Sequence, residues 1–212
     1  MFFIALLKKA KWIIAVLTVV FFVSFAAGYI GGKLRLADVR QIRMSKAYDY
    51  YRNLESKIPV YGALLQEYRI WERGKINGFV RQGRIVRGMF LIFFNNWVAA
   101  GLTTAVRSVF LLPMFLYPLG RFFQGLTFAQ TPVTYSQWGT FISELGGYFL
   151  IICAALCAVF WTLSPKSFGF ASRKEAFLNS LGFFGLLYFI SGIFIFFSSY
   201  LETMTLVMRR LG

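Results

Sequence analysis

The stretch Trp12–Gly32, WIIAVLTVVFFVSFAAGYIGG, contains no charged residue. An apolar run of about 20 residues, coiled as a helix, crosses a hydrocarbon core of about 30 Å. Lys8, Lys9 and Lys11 precede it and Lys33 follows it. The run is longer than the apolar region of a secretory signal, which is about 7–15 residues. It ends in Tyr29-Ile30-Gly31-Gly32 with no Ala-x-Ala cleavage site, so it reads as a retained membrane anchor. Four further apolar runs follow. Gly88–Val106 is interrupted only by Asn95 and Asn96. Ser108–Gln130 contains Pro113, Pro118 and Arg121, and only Arg107 separates it from the run before. Trp138–Leu163 carries one charge, Glu144, and Phe177–Leu201 ends at Glu202. The expected fold is an all-α polytopic membrane helix bundle. It has five transmembrane helices, plus two amphipathic interfacial helices between the first and second. A re-entrant loop through Pro113–Gly125 is the alternative for the third run. The domain reading is a tail and first span over 1–32, a basic loop over 33–87, and a four-helix core with a short tail over 88–212.

Composition agrees with this reading. Of 212 residues, 58% are apolar and 15% charged, against about 45–50% and about 25% in soluble domains. Mean hydropathy is +0.63, yet the net charge is +15. There is no histidine, which excludes imidazole metal sites, Ser-His-Asp triads and histidine proton relays. Two cysteines, Cys153 and Cys157, cannot make a disulfide framework. Four residues apart on one helix face, they read as small apolar residues. No phosphate-binding loop, nucleophile elbow or paired catalytic carboxylates occur. The expectation is a protein that is not an enzyme and takes no cofactor or metal.

The charge is concentrated in 33–87, which holds 13 Lys/Arg and five acids. Pro59 divides this segment into two prospective helices. Leu36, Val39, Ile42 and Arg43 give one helical stripe, and Leu64, Leu65, Tyr68 and Trp71 a second. Basic amphipathic helices with aromatic residues lie in membrane interfaces beside anionic headgroups. The alternative for the same surface, with Arg40, Arg43, Tyr68, Trp71, Arg84 and Arg87 prominent, is docking to another protein subunit. No nucleic-acid motif accompanies the charge, so nucleic acid is not an expected partner. With five spans, the face bearing this loop and the C-terminal tail carries 15 Lys/Arg and the opposite face seven. The positive-inside rule then puts the loop in the cytoplasm. The three lysines before the first span pull the other way, because the first helix usually dominates orientation.

Ionisable residues inside spans cost about 2.5–3.5 kcal/mol each on insertion scales. Asn95 and Asn96 sit roughly 10 Å into the second span from the loop side, and Glu144 roughly 9 Å into the fourth from the same side. Arg121 and Gln124 near the end of the third span, and Glu202 at the end of the fifth, fall in the same leaflet. The expectation is an intramembrane polar cluster in which Arg121 pairs with Glu144 or Glu202 and the asparagines satisfy the remaining hydrogen bonds. It serves either as interhelical glue or as a polar vestibule gated by a partner. Gly139, Gly146, Gly147, Gly182, Gly185 and Gly192 fit close helix packing.

These same positions carry a resemblance. Phe93-Phe94-Asn95-Asn96-Trp97-Val98-Ala99, Gly120-Arg121-Phe122-Phe123-Gln124-Gly125, Ile142-Ser143-Glu144-Leu145-Gly146 and Ser199-Tyr200-Leu201-Glu202-Thr203-Met204-Thr205 resemble, in order and spacing, motifs of the stage II sporulation protein M (SpoIIM-like) integral membrane family. The family's His and Pro before the fourth-span Glu are missing, and Gln124 stands where the family has Asn. The resemblance implies a non-enzymatic multi-pass scaffold or complex subunit. In spore formers, that complex remodels the envelope and contains peptidoglycan hydrolases. Some relatives look like partners of transport ATPases, which leaves a permease-like subunit as the alternative. Self-association into a homo-oligomer is compatible with either reading.

Overall fold

The computed structural model describes residues 2–36, 38 and 61–211. All regular structure among them is helical. In chain order the helices are α1 (Phe2–Lys33), α2 (Tyr61–Arg81), α3 (Ile85–Val109), α4 (Leu112–Gln130), α5 (Tyr135–Leu163) and α6 (Arg173–Leu211). Four stretches are long and apolar enough to cross a membrane: Phe3–Lys33, Ile85–Val109, Tyr135–Leu163 and Arg173–Met208. Each contains one of the expected spans. The helices outrun the apolar runs because a membrane helix continues into flanking polar residues until a cap stops it.

The caps are visible in the sequence chemistry. Gly83, at φ +68°, ends α2 in a left-handed turn, and the Arg84 N–H bonds back to the Phe79 carbonyl. A side chain would disfavour that conformation. Thr134 starts α5 through a reciprocal capping box with Gln137. Ser172 accepts the Glu175 N–H, and Glu175 accepts the Ala171 N–H, at the start of α6. Both pairs have the Ser/Thr-x-x-Glu/Gln spacing that satisfies orphan donors of a first turn.

Two boundaries differ from expectation. Arg107 does not mark a turn. It lies in the last turn of α3, where its charge complements the helix dipole. The chain reverses at Phe110–Leu111, with Leu111 left-handed at φ 58°. The segment considered for a re-entrant loop is helical without a break from Leu112 to Gln130; Pro113 falls in its first turn and Pro118 inside it. In the basic segment only the second helix, α2, is described. Val39, Arg40, Ile42 and Arg43, where a first helix was expected, lie outside the described residues, and Leu36 is exposed.

α4 runs alongside α1 in the same direction: Phe21 meets Tyr117, and Gly32 meets Ala129. α5 and α6 are antiparallel, with Gly139 against Leu201 and Gly147 against Ile195. α3 is antiparallel to α6, with Phe93 on Phe196 and Trp97 on Tyr188. α2 folds back on the first half of α3, bringing Phe79 and Val80 to Gly88 and Tyr68 to Asn95.

These directions divide the bundle into two ends. At one, Trp161 makes tilted ring contacts with Phe170 and Phe183, sealed by Leu6, Ala10, Cys153, Ala154 and Cys157. Lys9 crosses to this end from α1, donating to the Phe168 and Gly169 carbonyls at 2.7 Å each and lying over the Phe170 ring. At the other end lie the C-terminal halves of α1, α4 and α6, the start of α5, and α2. That end holds the polar residues.

Candidate functional site

The polar end is organised by a break in α3. Residues Asn95–Ala100 form a π-helical segment. Asparagine amides compete with backbone hydrogen bonding, and π-segments within α-helices are frequent at functional sites. Tyrosines of the neighbouring helices donate to two of its carbonyl oxygens. The Tyr148 hydroxyl donates to the Asn96 carbonyl at 3.3 Å, and the Tyr188 hydroxyl to the Trp97 carbonyl at 2.6 Å. The Trp97 indole N–H returns a bond to the Tyr188 carbonyl at 3.1 Å. Gly192 makes room for this indole: a Cβ there would lie 2.9 Å from Trp97.

Asn95 is covered by α2. The Tyr68 hydroxyl donates to Asn95 Oδ1 at 2.8 Å, and Asn95 Nδ2 reaches Asn96 Oδ1 at 3.5 Å. Partial burial, then the nearby charge of Glu72, hold the Tyr68 phenol above its ordinary pKa, so it remains a donor at neutral pH. The asparagines bond to Tyr68 and to each other.

Asn96, Glu144 and Glu202, from three separate helices, line one open cleft of about 370 Å³ with Phe128, Gln137, Thr140, Phe141, Thr205 and Leu206. Glu144 and Glu202 face the same cleft from α5 and α6. Arg121 is not part of that lining. Its guanidinium is 5.0 Å from the Phe21 ring centroid and 4.9 Å from that of Tyr117, and of the two carboxylates weighed for it, its charge acts on Glu144. Gln124 is one helical turn from Phe128, with its Oε1 buried and without a hydrogen bond among the described residues.

Side chains that the sequence reading did not place in the polar cluster complete the site. Ser136 and Thr205 share a hydroxyl hydrogen bond of 2.7 Å, and the Ser198 hydroxyl donates to the Thr140 carbonyl at 3.2 Å. The capping box that starts α5 holds Gln137 in the cleft wall. The signal for these residues was present as hydroxyl pairs spaced for one helix face, Ser136/Thr140 on α5 and Ser198/Thr205 on α6.

Of the residues marked for the partner surface, Tyr68 is half-buried against Asn95, while Trp71, beside it at 5.8 Å, is 49% exposed. Arg84 and Arg87 are exposed at the start of α3. Arg40 and Arg43 lie outside the described residues. Cys153 and Cys157 are free thiols buried in the closed core. Among the described residues no three His, Cys, Asp or Glu side chains gather as a metal site. Compared with family models, curated proteins and solved structures, the chain finds no match.

Proposed function

We propose that this chain is a non-enzymatic, multi-pass assembly subunit of a membrane complex, SpoIIM-like in kind, with a partner bound on α2 and signalled to the polar cleft. On this reading α4 is a fifth crossing beside the four long helices, in step with α1. The basic segment with its two amphipathic helices faces the cytoplasm, where its cations also meet anionic headgroups. The observation that supports the reading best is the 2.8 Å bond from Tyr68 to Asn95. It ties the helix bearing exposed Ile70 and Trp71 to the one span whose winding is broken. Support also comes from the four short motifs behind the family resemblance: Asn96, Glu144 and Glu202 share one cleft, and Arg121 acts on Glu144.

The test is native purification from membranes followed by mass spectrometry of co-purifying chains. A stoichiometric partner lost on Trp71→Ser supports the assignment, and a solitary chain overturns it. A transport role is the second reading, favoured by the volume and two carboxylates of the cleft. It requires α2 on the cytoplasmic side for coupling to an ATPase. A reporter fused after Arg210 that proves extracytoplasmic eliminates the transport reading and reverses the proposed orientation.

A further inference from the structure

We propose that the connection between α5 and α6 is a headgroup site for one anionic phospholipid, at the opposite end of the bundle from α2. This does not rest on the assembly reading, since a lipid can sit there with or without a protein partner on α2.

Position comes first. α5 ends at Leu163 and α6 starts at Arg173, so their connection lies where two membrane-length helices leave the hydrocarbon. At the same end of α1, exposed Trp12 has Lys11 Nζ 5.6 Å from its ring centroid, an aromatic and a cation suited to headgroup depth. The connection is held in one shape: Gly169 turns it at φ +70°, and Lys9 of α1 donates to the Phe168 and Gly169 carbonyls. In that shape Lys166 and Arg173 line one open cleft of about 460 Å³ with Ser164, Ser167 and Ser172. Among the described residues no carboxylate lines it. Glu175, on the next turn, is committed to the Ala171 N–H at 2.7 Å.

The lining chemistry fits a phosphate. Lys166 and Arg173 bring charged donors, and the serines bring hydroxyls. Ser172 Oγ accepts the Glu175 N–H at 3.1 Å, which leaves its own proton to donate. A zwitterionic headgroup would bring an ammonium group against the same two cations with no anion in the lining to meet it. The fit is therefore to a headgroup whose net charge is negative. Size favours a headgroup over a free ion: about 460 Å³ is in the range of small-molecule sites, about 300–1,000 Å³, and a phosphate ion would fill little of it. The surface continues as an acyl chain requires. Leu163, itself part of the lining, is 64% exposed where α5 enters the hydrocarbon. Phe177 and Leu181, also exposed, follow Arg173 at one-turn intervals along α6. Cations above and apolar side chains below are the two halves of a phospholipid site.

The test uses the full-length protein in nanodiscs. Native mass spectrometry follows the lipids that stay on the protein after release from mixed phosphatidylglycerol and phosphatidylcholine nanodiscs. Hydrogen exchange compares residues 164–172 in nanodiscs of each lipid alone. One phosphatidylglycerol should be retained about tenfold or more over phosphatidylcholine, with slower exchange over 164–172 in phosphatidylglycerol. Lys166→Gln combined with Arg173→Gln should remove both effects. Lys33→Gln combined with Arg35→Gln takes two exposed cations from the other end of α1 and should leave the exchange difference in place. Calorimetric titration with inorganic phosphate in phosphatidylcholine nanodiscs covers the other source of the same chemistry. Saturable phosphate binding without phosphatidylglycerol retention makes the ligand a free anion and overturns the lipid assignment. Equal retention of the two lipids, or unchanged exchange protection in the folded Lys166/Arg173 double variant, overturns it as well.

Discussion

The α1–α4 seam and the α5–α6 seam solve the same problem differently. Lipid gives helices no hydrophobic reason to associate, so contact depends on close packing and hydrogen bonds. Across α1–α4 the approach is backbone on backbone. A Cβ added at Gly28 would collide with the Phe122 carbonyl, and one at Gly125 with the Phe25 carbonyl, also lying 2.7 Å from the Tyr29 nitrogen. Across α5–α6 the glycines chiefly face side chains: Gly139 meets the Leu201 tip, Gly146 the Phe194 ring, and Gly147 the Ile195 side chain. Hydroxyl bonds through Ser136, Thr205 and Ser198 supplement that packing. The first seam cannot yield without separating two helices, whereas the second yields by rotamer changes. The cleft opens where the two seams meet, with Phe128 from one and Glu144 and Glu202 from the other.

The largest effect is therefore expected at the rigid seam. Gly125→Ala should cost about 3 kcal/mol or more, the upper range for overpacking a core, and Gly28→Ala should behave alike. Thermal unfolding in detergent reads this directly. A loss below about 1 kcal/mol at both positions would mean that the helices separate cheaply, and the contrast between the seams would fail. Next comes Gly147→Ala, where Ile195 is 2.6 Å and the Ser191 carbonyl 3.2 Å from the new carbon. About 1–3 kcal/mol is expected there. At Gly139, only the flexible Leu201 tip is met, at 2.8 Å, and the change should stay within about 0.5 kcal/mol.

The legibility of these two regions in the sequence also differs. The four long helices follow directly from long apolar runs, because hydrocarbon tolerates only saturated helical backbone. Asn95, Asn96, Glu144 and Glu202 stood out because polar residues in spans are costly, and helix geometry placed them in one leaflet. The rigid seam was overlooked, although Gly28 and Gly32 have the small-x-x-x-small spacing and Gly125 and Ala129 repeat it on α4. The π-segment could not be read from residue types, since its carbonyls are covered by Tyr148 and Tyr188 from helices 52 and 91 residues away. Tertiary partners of that kind leave no local pattern. The Phe110–Leu111 turn was missed for a related reason: a left-handed Leu contradicts local preference, and only the packing around it sets it.

Tyr68→Phe examines whether α2 is held to the bundle from the α3 side. Losing one hydrogen bond to Asn95 should cost about 1 kcal/mol. Hydrogen exchange should rise in α2 and leave the α5–α6 seam unchanged; equal loosening of both would make α2 part of the general core. The bond also has a pH signature. The folded Tyr68 pKa is raised above its unfolded value, so its contribution is complete below about pH 10 and declines as pH climbs through the folded value. Ser198→Ala, removing the 3.2 Å bond to Thr140, should cost about 0.6 kcal/mol, the average for hydroxyl bonds between membrane helices.

The smallest effect has the opposite sign. Gly182 and Gly185 were expected to pack like the other glycines of their span, yet both are exposed on α6 and a Cβ at either would meet nothing within 4 Å. Leu178, Leu181, Leu186 and Phe189 beside them are exposed too. If this face meets only lipid, alanine at either glycine should stabilise the helix by a few tenths of a kcal/mol, because the backbone freedom of glycine is lost without any clash. If two copies of the chain associate there, the same glycines form a third seam. Gly182→Leu would then convert a dimer to a monomer in native mass spectrometry, and alanine would destabilise. The sign of the alanine effect thus decides whether α6 packs by glycines on one face or on two.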